Sequence, residues 1–196
     1  MTAPEPGQRP VAGRRPTGDA TADCDPRHAA AAAGESVEVV DVDGTVQRVV
    51  TRAQMRSGRL RHRCTYIVVV DRQDRVVVHR RAAWKDVWPS RWDLAFGGVA
   101  GVGEAWETAA TRELAEEAGV EAPLEVLIQD SYDDHEVSVL GRVYLARHDG
   151  PFTFPDGEVV ASERIPGPDV LAWLKARSHC PDSVALVGDA LAVHPW

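Results

Sequence analysis

Residues 96–121 read FGGVAGVGEAWETAATRELAEEAGVE, and this stretch limits what the chain can fold into more than any other. Gly97, Gly98, Gly101 and Gly103 let the backbone turn tightly and approach a ligand closely. A helix is expected over roughly residues 104–118, with Gly119 placed to end it as a C-terminal cap. At the helical repeat, Glu113, Glu116 and Glu117 stand at i, i+3 and i+4 and share one face. Trp106, Ala109, Ala110 and Leu114 form the opposing apolar stripe, which must dock on a neighbouring layer. Like charges at those spacings cost a few tenths of a kcal/mol per pair, about 0.2–0.5, unless something positive sits among them. Arg112 offsets part of that repulsion, and a hard cation such as Mg²⁺, which favours carboxylate oxygen, would offset more.

The surrounding pattern supplies the layer. Two β-rich runs flank Asp43-Gly44, a two-residue hairpin signal, and two Val-rich runs flank the polar turn DRQD. The unbroken apolar run at residues 66–70 predicts a central strand covered on both faces. An aromatic-lined loop, AAWKDVWPSRWDLAF, leads into the glycine turn and ends in a short strand. Further strands are expected at LEVLIQD, VSVLGRVYLARH and EVVASERI, and Pro-Asp pairs open two closing helices, PDVLAWLKARSH and PDSVALVGDALAVH. Strands before and after one central helix predict an α/β (α+β) domain, a mixed sheet flanked by helices. Residues 1–35 are rich in Pro, Gly, Ala and Arg and are expected to be a disordered tail, leaving residues 36–196 as one domain.

Bulk properties exclude several classes. A net charge of −8 argues against a general binder of nucleic-acid polymers or anionic membranes. Three cysteines without paired spacing fit a reduced cytoplasm, and no apolar run approaches the length of a membrane span. The glycine order is the reverse of the dinucleotide fingerprint, and no Gly-Lys-Ser/Thr ending marks a P-loop.

From Gly98 through Glu104 to the run REL-AEE-AGV at residues 112–120, the spacing reproduces G-x5-E-x7-R-E-U-x-E-E-x-G-U without a departure. In this the chain resembles the Nudix hydrolases. The resemblance implies a Nudix fold, an α/β/α sandwich around a mixed sheet, and hydrolysis of a nucleoside diphosphate linked to another moiety, or of a related diphosphate. It implies Mg²⁺ or Mn²⁺ as cofactor, with Glu116 and Glu117 as main ligands and Glu113 as a further ligand or the base that activates water. By the same resemblance Arg112 orients the glutamates, the Gly97 carbonyl completes the metal shell, and Glu104 supports the structure. Flanking motifs, from DVDGTVQRVVTRAQM through HRRAAWKDVWPSRWDLAFGG to HCPDS, resemble the branch related to isopentenyl-diphosphate isomerase. That branch raises an isomerase as an alternative, but the cysteine that isomerases place directly before the first box glycine is Gly97 here. A Nudix-fold ligand-binding or regulatory module without turnover is the other alternative.

Outside the box, Arg80, Arg81 and Lys85 are candidates to meet substrate phosphates, equally readable as an ordinary charged strand end. Trp88 and Trp92 are candidates to stack on a base or to pack in the core, and Trp92 is taken with the substrate-binding set. Glu158 is the candidate further acid, because a similar Glu-Val pair recurs in the resembled branch. The cluster of Asp133, Asp134, His135 and Glu136 reads first as a solvated turn, and His179-Cys180 as structural. The expected partner is a small-molecule diphosphate, with a homodimer left open by the resemblance.

Overall fold

The computed structural model describes residues 33–193. The tail expected at residues 1–35 therefore lies almost wholly outside the described residues. Strands β1 (Ser36–Val40) and β2 (Val46–Thr51) form an antiparallel pair, followed by helix α1 (Arg52–Ser57) and strands β3 (His62–Val70), β4 (Arg75–Arg81) and β5 (Trp92–Asp93). Helix α2 (Trp106–Ala118) carries the glutamates; β6 (Leu124–Asp133), β7 (Ser138–Arg147) and β8 (Val159–Pro166) follow, and α3 (Gly167–Lys175) and α4 (Pro181–Val193) close the described chain.

All eight strands belong to one sheet. β3 lies between β1, β4 and β7, and its pairing with β7 is parallel from His62↔Val139 to Val70↔Arg147. The β4–β8 and β6–β7 pairings are antiparallel, so the sheet is mixed, as expected. Alternation along β3 explains its unbroken apolar run. Tyr66, Val68 and Val70 enter one core with Val170 and Leu174 of α3 and Val184, Leu186 and Val187 of α4. Ile67 and Val69 enter another with Ala110, Leu114 and Ala118 of α2. Helices thus cover both faces of the sheet, and β3, like β4 and β7, contributes to both layers. Among the described residues no helix is long and apolar enough to cross a membrane.

Three local expectations need correction. The β1–β2 connection is not a two-residue turn: Val40 pairs with Val46, and five residues, 41–45, lie between them. Asp41 makes the longer loop closed, its Oδ1 accepting from the backbone N–H groups of Asp43 and Thr45. Helix α1 is an addition to the expected elements, although its capping box is written in the sequence: Thr51 Oγ1 accepts from Gln54 N, and Gln54 Oε1 accepts from Thr51 N. Helix α2 begins at Trp106 rather than near Glu104, because the Glu104 carboxylate is engaged in the preceding turn, accepting from Gly101 N at 2.7 Å. Its end is as expected, with Gly119 at φ 63° and its N–H bonded to Ala115 O.

His62 begins β3 fully buried, with Nδ1 2.9 Å from Leu60 O. Burial, reinforced by the positive charge of Arg56, lowers its pKa to about 3. A folded pKa below the unfolded value means that the unfolded chain takes up the proton first, so this contribution to stability is present above about pH 6.5 and is lost as pH falls. Raised carboxyls such as Asp182 tilt the curve the other way, so the histidine is read as a difference between two proteins. The stability gap between wild type and His62→Gln is expected to narrow by about 2 kcal/mol from pH 6.5 to pH 5, measured by urea unfolding. A gap independent of pH would contradict this assignment.

Candidate active site

The glycine turn lies against β3, with Thr65 N donating to Gly98 O and Ile67 N to Phe96 O. Gly97 has φ +142°, and a Cβ there would stand 2.0 Å from the Thr65 carbonyl oxygen. A Cβ on Gly98 would stand 2.7 Å from Glu113 Oε1. Gly97 therefore needs glycine, because a Cβ there meets backbone, whereas at Gly98 it meets the movable end of the Glu113 side chain on the acidic face of α2. Glu38 of β1 steadies the far side of the turn, accepting from Gly103 N at 2.9 Å and from Arg63 Nη2 at 2.8 Å.

Arg112 holds the acidic face together. Its Nε donates to Glu104 Oε1 and its Nη2 to Glu104 Oε2, while Nη1 donates to Glu113 Oε1 at 2.7 Å and to Glu116 Oε2 at 3.0 Å. A planar guanidinium spans three carboxylates where an ammonium cannot. Arg112→Lys is accordingly expected to lower metal-dependent kcat/KM by about 10–100-fold, the usual scale for groups that orient ligands. Unchanged kinetics would remove Arg112 from the site.

Glu117 is buried on the next step of the helix, and its Oε2 accepts from Gly97 N at 2.8 Å. Across from it stands Glu158, just before β8, paired with Lys85 from the loop after β4. Burial drives the Glu117 carboxyl well above the ordinary range; Lys85 opposes this, while Glu113 and Glu158 add to it. Burial also raises Glu113, against the pull of Arg112. Burial acts the same way on Glu158, but the Lys85 ammonium outweighs it and the carboxyl is lowered. One side of a close acidic pair is thus neutralised by a cation, and the other is left short of one.

Carboxylate oxygens of Glu117, Asp156 and Glu158 all lie within 4.8 Å of one another. Three hard oxygen donors at that spacing, one of them buried and pushed toward its neutral form, suit a divalent cation of the Mg²⁺ type. Asp156 is the member that sequence reasoning missed. It precedes Gly157 in a turn, where an aspartate is ordinarily a turn former, and only the turn's position opposite α2 gives it another use. Glu113 and Glu116 line the same cleft but turn toward Arg112.

The cleft has a volume of about 660 Å³. Arg81 and Lys85 line it, as do Gly97, Gly98, Glu113, Glu116, Glu117 and Glu158. Arg80 does not. Successive side chains on a strand point to opposite faces, and the one beside Arg81 is turned to solvent. Trp92 is also outside the cleft, packed edge to face on Trp173 of α3 at 4.9 Å between ring centroids. Asp93, without a role in the sequence reading, holds Arg81 at 3.6 Å and accepts from Leu94 N. Asp133 ends β6, and Asp134 opens the turn to β7, its Oδ1 accepting from Glu136 N and Val137 N. His179 Nδ1 lies 2.9 Å from Arg177 O and Cys180 is buried, both structural. Cys64 lines the cleft, yet burial pushes its pKa up to about 12, so it stays a neutral thiol.

Known proteins share both the sequence and the shape. A NUDIX domain family model matches residues 60–180. An uncharacterised Nudix hydrolase of Yersinia pestis is 37% identical over 130 residues, covering 66% of this chain and 71% of its own length. One from Pseudomonas aeruginosa is 33% identical over 160 residues, covering 80% of this chain and 94% of its own. Among solved structures, DR0079 from Deinococcus radiodurans superposes with a TM-score of 0.69 at 24% identity, over 80% of this chain and 99% of that one. The NUDIX domain of Shewanella oneidensis NrtR, complexed with ADP ribose, does so with a TM-score of 0.55 at 19% identity, over 73% and 98%. With the family model spanning the glycine turn, α2 and strands β3 to β8, the chain belongs to the Nudix hydrolase family.

Proposed function

We propose that this protein hydrolyses a diphosphate linkage in a nucleoside diphosphate joined to another group, or in a related diphosphate, by attack of water at phosphorus with Mg²⁺ or Mn²⁺. The observation that carries the reading is the convergence of Glu117, Asp156 and Glu158, two of which, Glu117 and Glu158, line the same cleft as Arg81 and Lys85. Glu117, Asp156 and Glu158 would hold the cation, and the family resemblance adds Glu116 and the Gly97 carbonyl, both from residues that line the cleft. Once bound, the cation supplies charge neutralisation at phosphoryl oxygen and a more acidic water. Glu113 would take the water proton, with Arg112 fixing its orientation. Arg81 and Lys85 meet phosphate oxygens as cations held in place by Asp93 and Glu158. The NrtR NUDIX domain is known in complex with ADP ribose, and the cleft of about 660 Å³ here lies within the ordinary range for small-molecule sites.

The test is a panel of dinucleotides, nucleotide sugars, oxidised nucleotides, and isoprenoid and thiamine diphosphates, followed by phosphate or nucleotide release with Mg²⁺ and with Mn²⁺. Release on at least one substrate, dependent on the cation and lost in Glu117→Gln, supports the reading. No cation-dependent release on any of them by the wild type overturns it, and leaves a binding module.

A further inference from the structure

Lys85 is one of two lysines in the chain, and its side chain is 9% exposed, whereas a lysine ordinarily keeps its ammonium in water. A buried ammonium is costly unless a carboxylate faces it. Here Lys85 Nζ donates to Glu158 Oε2. Glu158 is also one of the three acids whose oxygens converge, and among the described residues neither Glu117 nor Asp156 makes an ion pair. The Arg112 guanidinium is committed to Glu104, Glu113 and Glu116, and Arg81 to Asp93. Lys85 is therefore the cation that shares a carboxylate with the candidate metal site.

The backbone on both sides of Lys85 is fixed. Ala82 N donates to Glu158 O at 2.7 Å, which ties the start of the loop to the turn that carries Glu158. Asp86, the next residue, is held from α1 by Arg52 at 3.6 Å and by Arg56 at 3.0 Å. The side chain, by contrast, has room. Lys85 and Glu158 both line the main cleft, and both also line a smaller cavity of about 230 Å³ together with Ala53 and Trp84. Lys85 Nζ stands 5.9 Å from the centroid of the Trp84 ring. A flexible four-carbon stem can carry the ammonium off Glu158 by rotation about its own bonds, with the loop left where it is.

We propose that Lys85 competes with the divalent cation for Glu158, so that Lys85 sets the cation affinity of the cleft and is released toward phosphate when its carboxylate is taken. A hard dication of the Mg²⁺ type binds carboxylate oxygen at about 2.0–2.1 Å. An ammonium on the same carboxylate is then repelled at short range, where little water lies between the charges to screen them. Glu158 cannot serve both partners fully. Removing the Lys85 charge therefore acts with opposite signs on two ligands: the cation is held more tightly, and phosphate less. A lysine that served only the fold would do neither. The inference rests on the metal-dependent reading for the identity of the site, and on the Lys85–Glu158 pair for the competition.

The test uses the full chain and Mg²⁺ alone, without substrate. By titration calorimetry, Lys85→Met and Lys85→Gln are each expected to bind Mg²⁺ about 10–100-fold more tightly than wild type, the scale on which groups around a metal site alter its affinity. In a Glu158→Gln background the same substitutions should change the affinity by no more than about threefold, because the contested carboxylate is gone. With ¹³C-lysine incorporated, Lys85 and Lys175 report separately. Saturating Mg²⁺ is expected to move the Lys85 ε-CH₂ resonance toward that of the exposed Lys175, which itself stays in place. Affinity unchanged or weakened in both Lys85 variants overturns the proposal, as does a Lys85 resonance indifferent to Mg²⁺. So does a gain that persists undiminished in Glu158→Gln, which would be charge repulsion through space. No Mg²⁺ binding by wild type or by either variant overturns the competition and the metal-dependent reading together. Binding by the wild type that is lost in Glu117→Gln but insensitive to Lys85 leaves that reading standing and removes only the competition. Tighter binding in the Lys85 variants, with no hydrolysis anywhere in the substrate panel, does the reverse.

Discussion

Glu117→Gln is expected to abolish cation-dependent hydrolysis, by at least about 100-fold in kcat/KM, the upper end of what even supporting groups at metal sites are worth. The same substitution should leave the metal-free protein as stable or more so. Its amide oxygen can still accept from Gly97 N, and it removes a buried carboxyl that burial and two acidic neighbours hold far from its ordinary ionisation. The sign follows from proton linkage. For an acid whose folded pKa is raised, the folded state binds more protons than the unfolded chain, so stability falls as pH rises from the unfolded value near 4.3 toward the folded one. A neutral glutamine does not carry that loss. At pH 7.5 the apo variant is expected to melt about 2–4 °C higher, equivalent to about 1 kcal/mol in a domain of this size. Adding Mg²⁺ or Mn²⁺ at about 100 times its dissociation constant should stabilise the wild type by about 2.7 kcal/mol and the variant by much less. Thermal melts with and without the cation read this independently of any substrate. A variant that keeps its activity, or one that gains as much from the cation as the wild type, would take Glu117 out of the metal site.

Gly97→Ala is expected to have the largest effect on the fold itself. The new methyl carbon would stand 2.0 Å from the Thr65 carbonyl oxygen and 2.8 Å from its carbon, and neither belongs to a flexible side chain. At φ +142° an alanine is strained even without the clash. Conformational strain alone is worth about 1–3 kcal/mol, so a total loss of about 3 kcal/mol or more, some 6–12 °C in melting temperature, is expected. To relieve the contact the turn must move off β3, which carries Gly97 N away from Glu117 and lifts the acidic face out of register with Glu158. Hydrolysis should therefore fall along with stability. Gly103→Ala is the control, because nothing lies within 4 Å of a Cβ there and only its φ of +69° is unfavourable. A Gly97→Ala protein that melts no lower than Gly103→Ala would show that the approach of turn to strand is not what glycine is needed for.

What is legible in the sequence differs from one residue to the next, and the dividing line is range. The grouping of Glu113, Glu116 and Glu117, the cap at Gly119 and the two-faced burial of residues 66–70 follow from repeats of two or 3.6 residues, which a chain writes locally. The β1–β2 loop departs from the two-residue turn that Asp43-Gly44 signals locally, because Asp41, reaching over the whole loop, overrides that signal. Arg80 and Arg81 are neighbours in sequence, and only the facing of β4 in the sheet sends one into the cleft and the other to solvent.

By itself, then, the sequence determined the family, the helix and the acidic face, because box spacing and helical periodicity are properties of a few consecutive turns. Tertiary structure alone decided which cations and acids meet that face. Lys85 and Glu158 are 73 residues apart, Gly97 and Glu117 are 20 apart, and Tyr66 and Asp182 are 116 apart. No periodicity connects such pairs. They are brought together by β3, which both core layers share, and by the β4–β8 pairing that sets Glu158 beside Lys85, so the chemistry of the cleft is a consequence of the sheet.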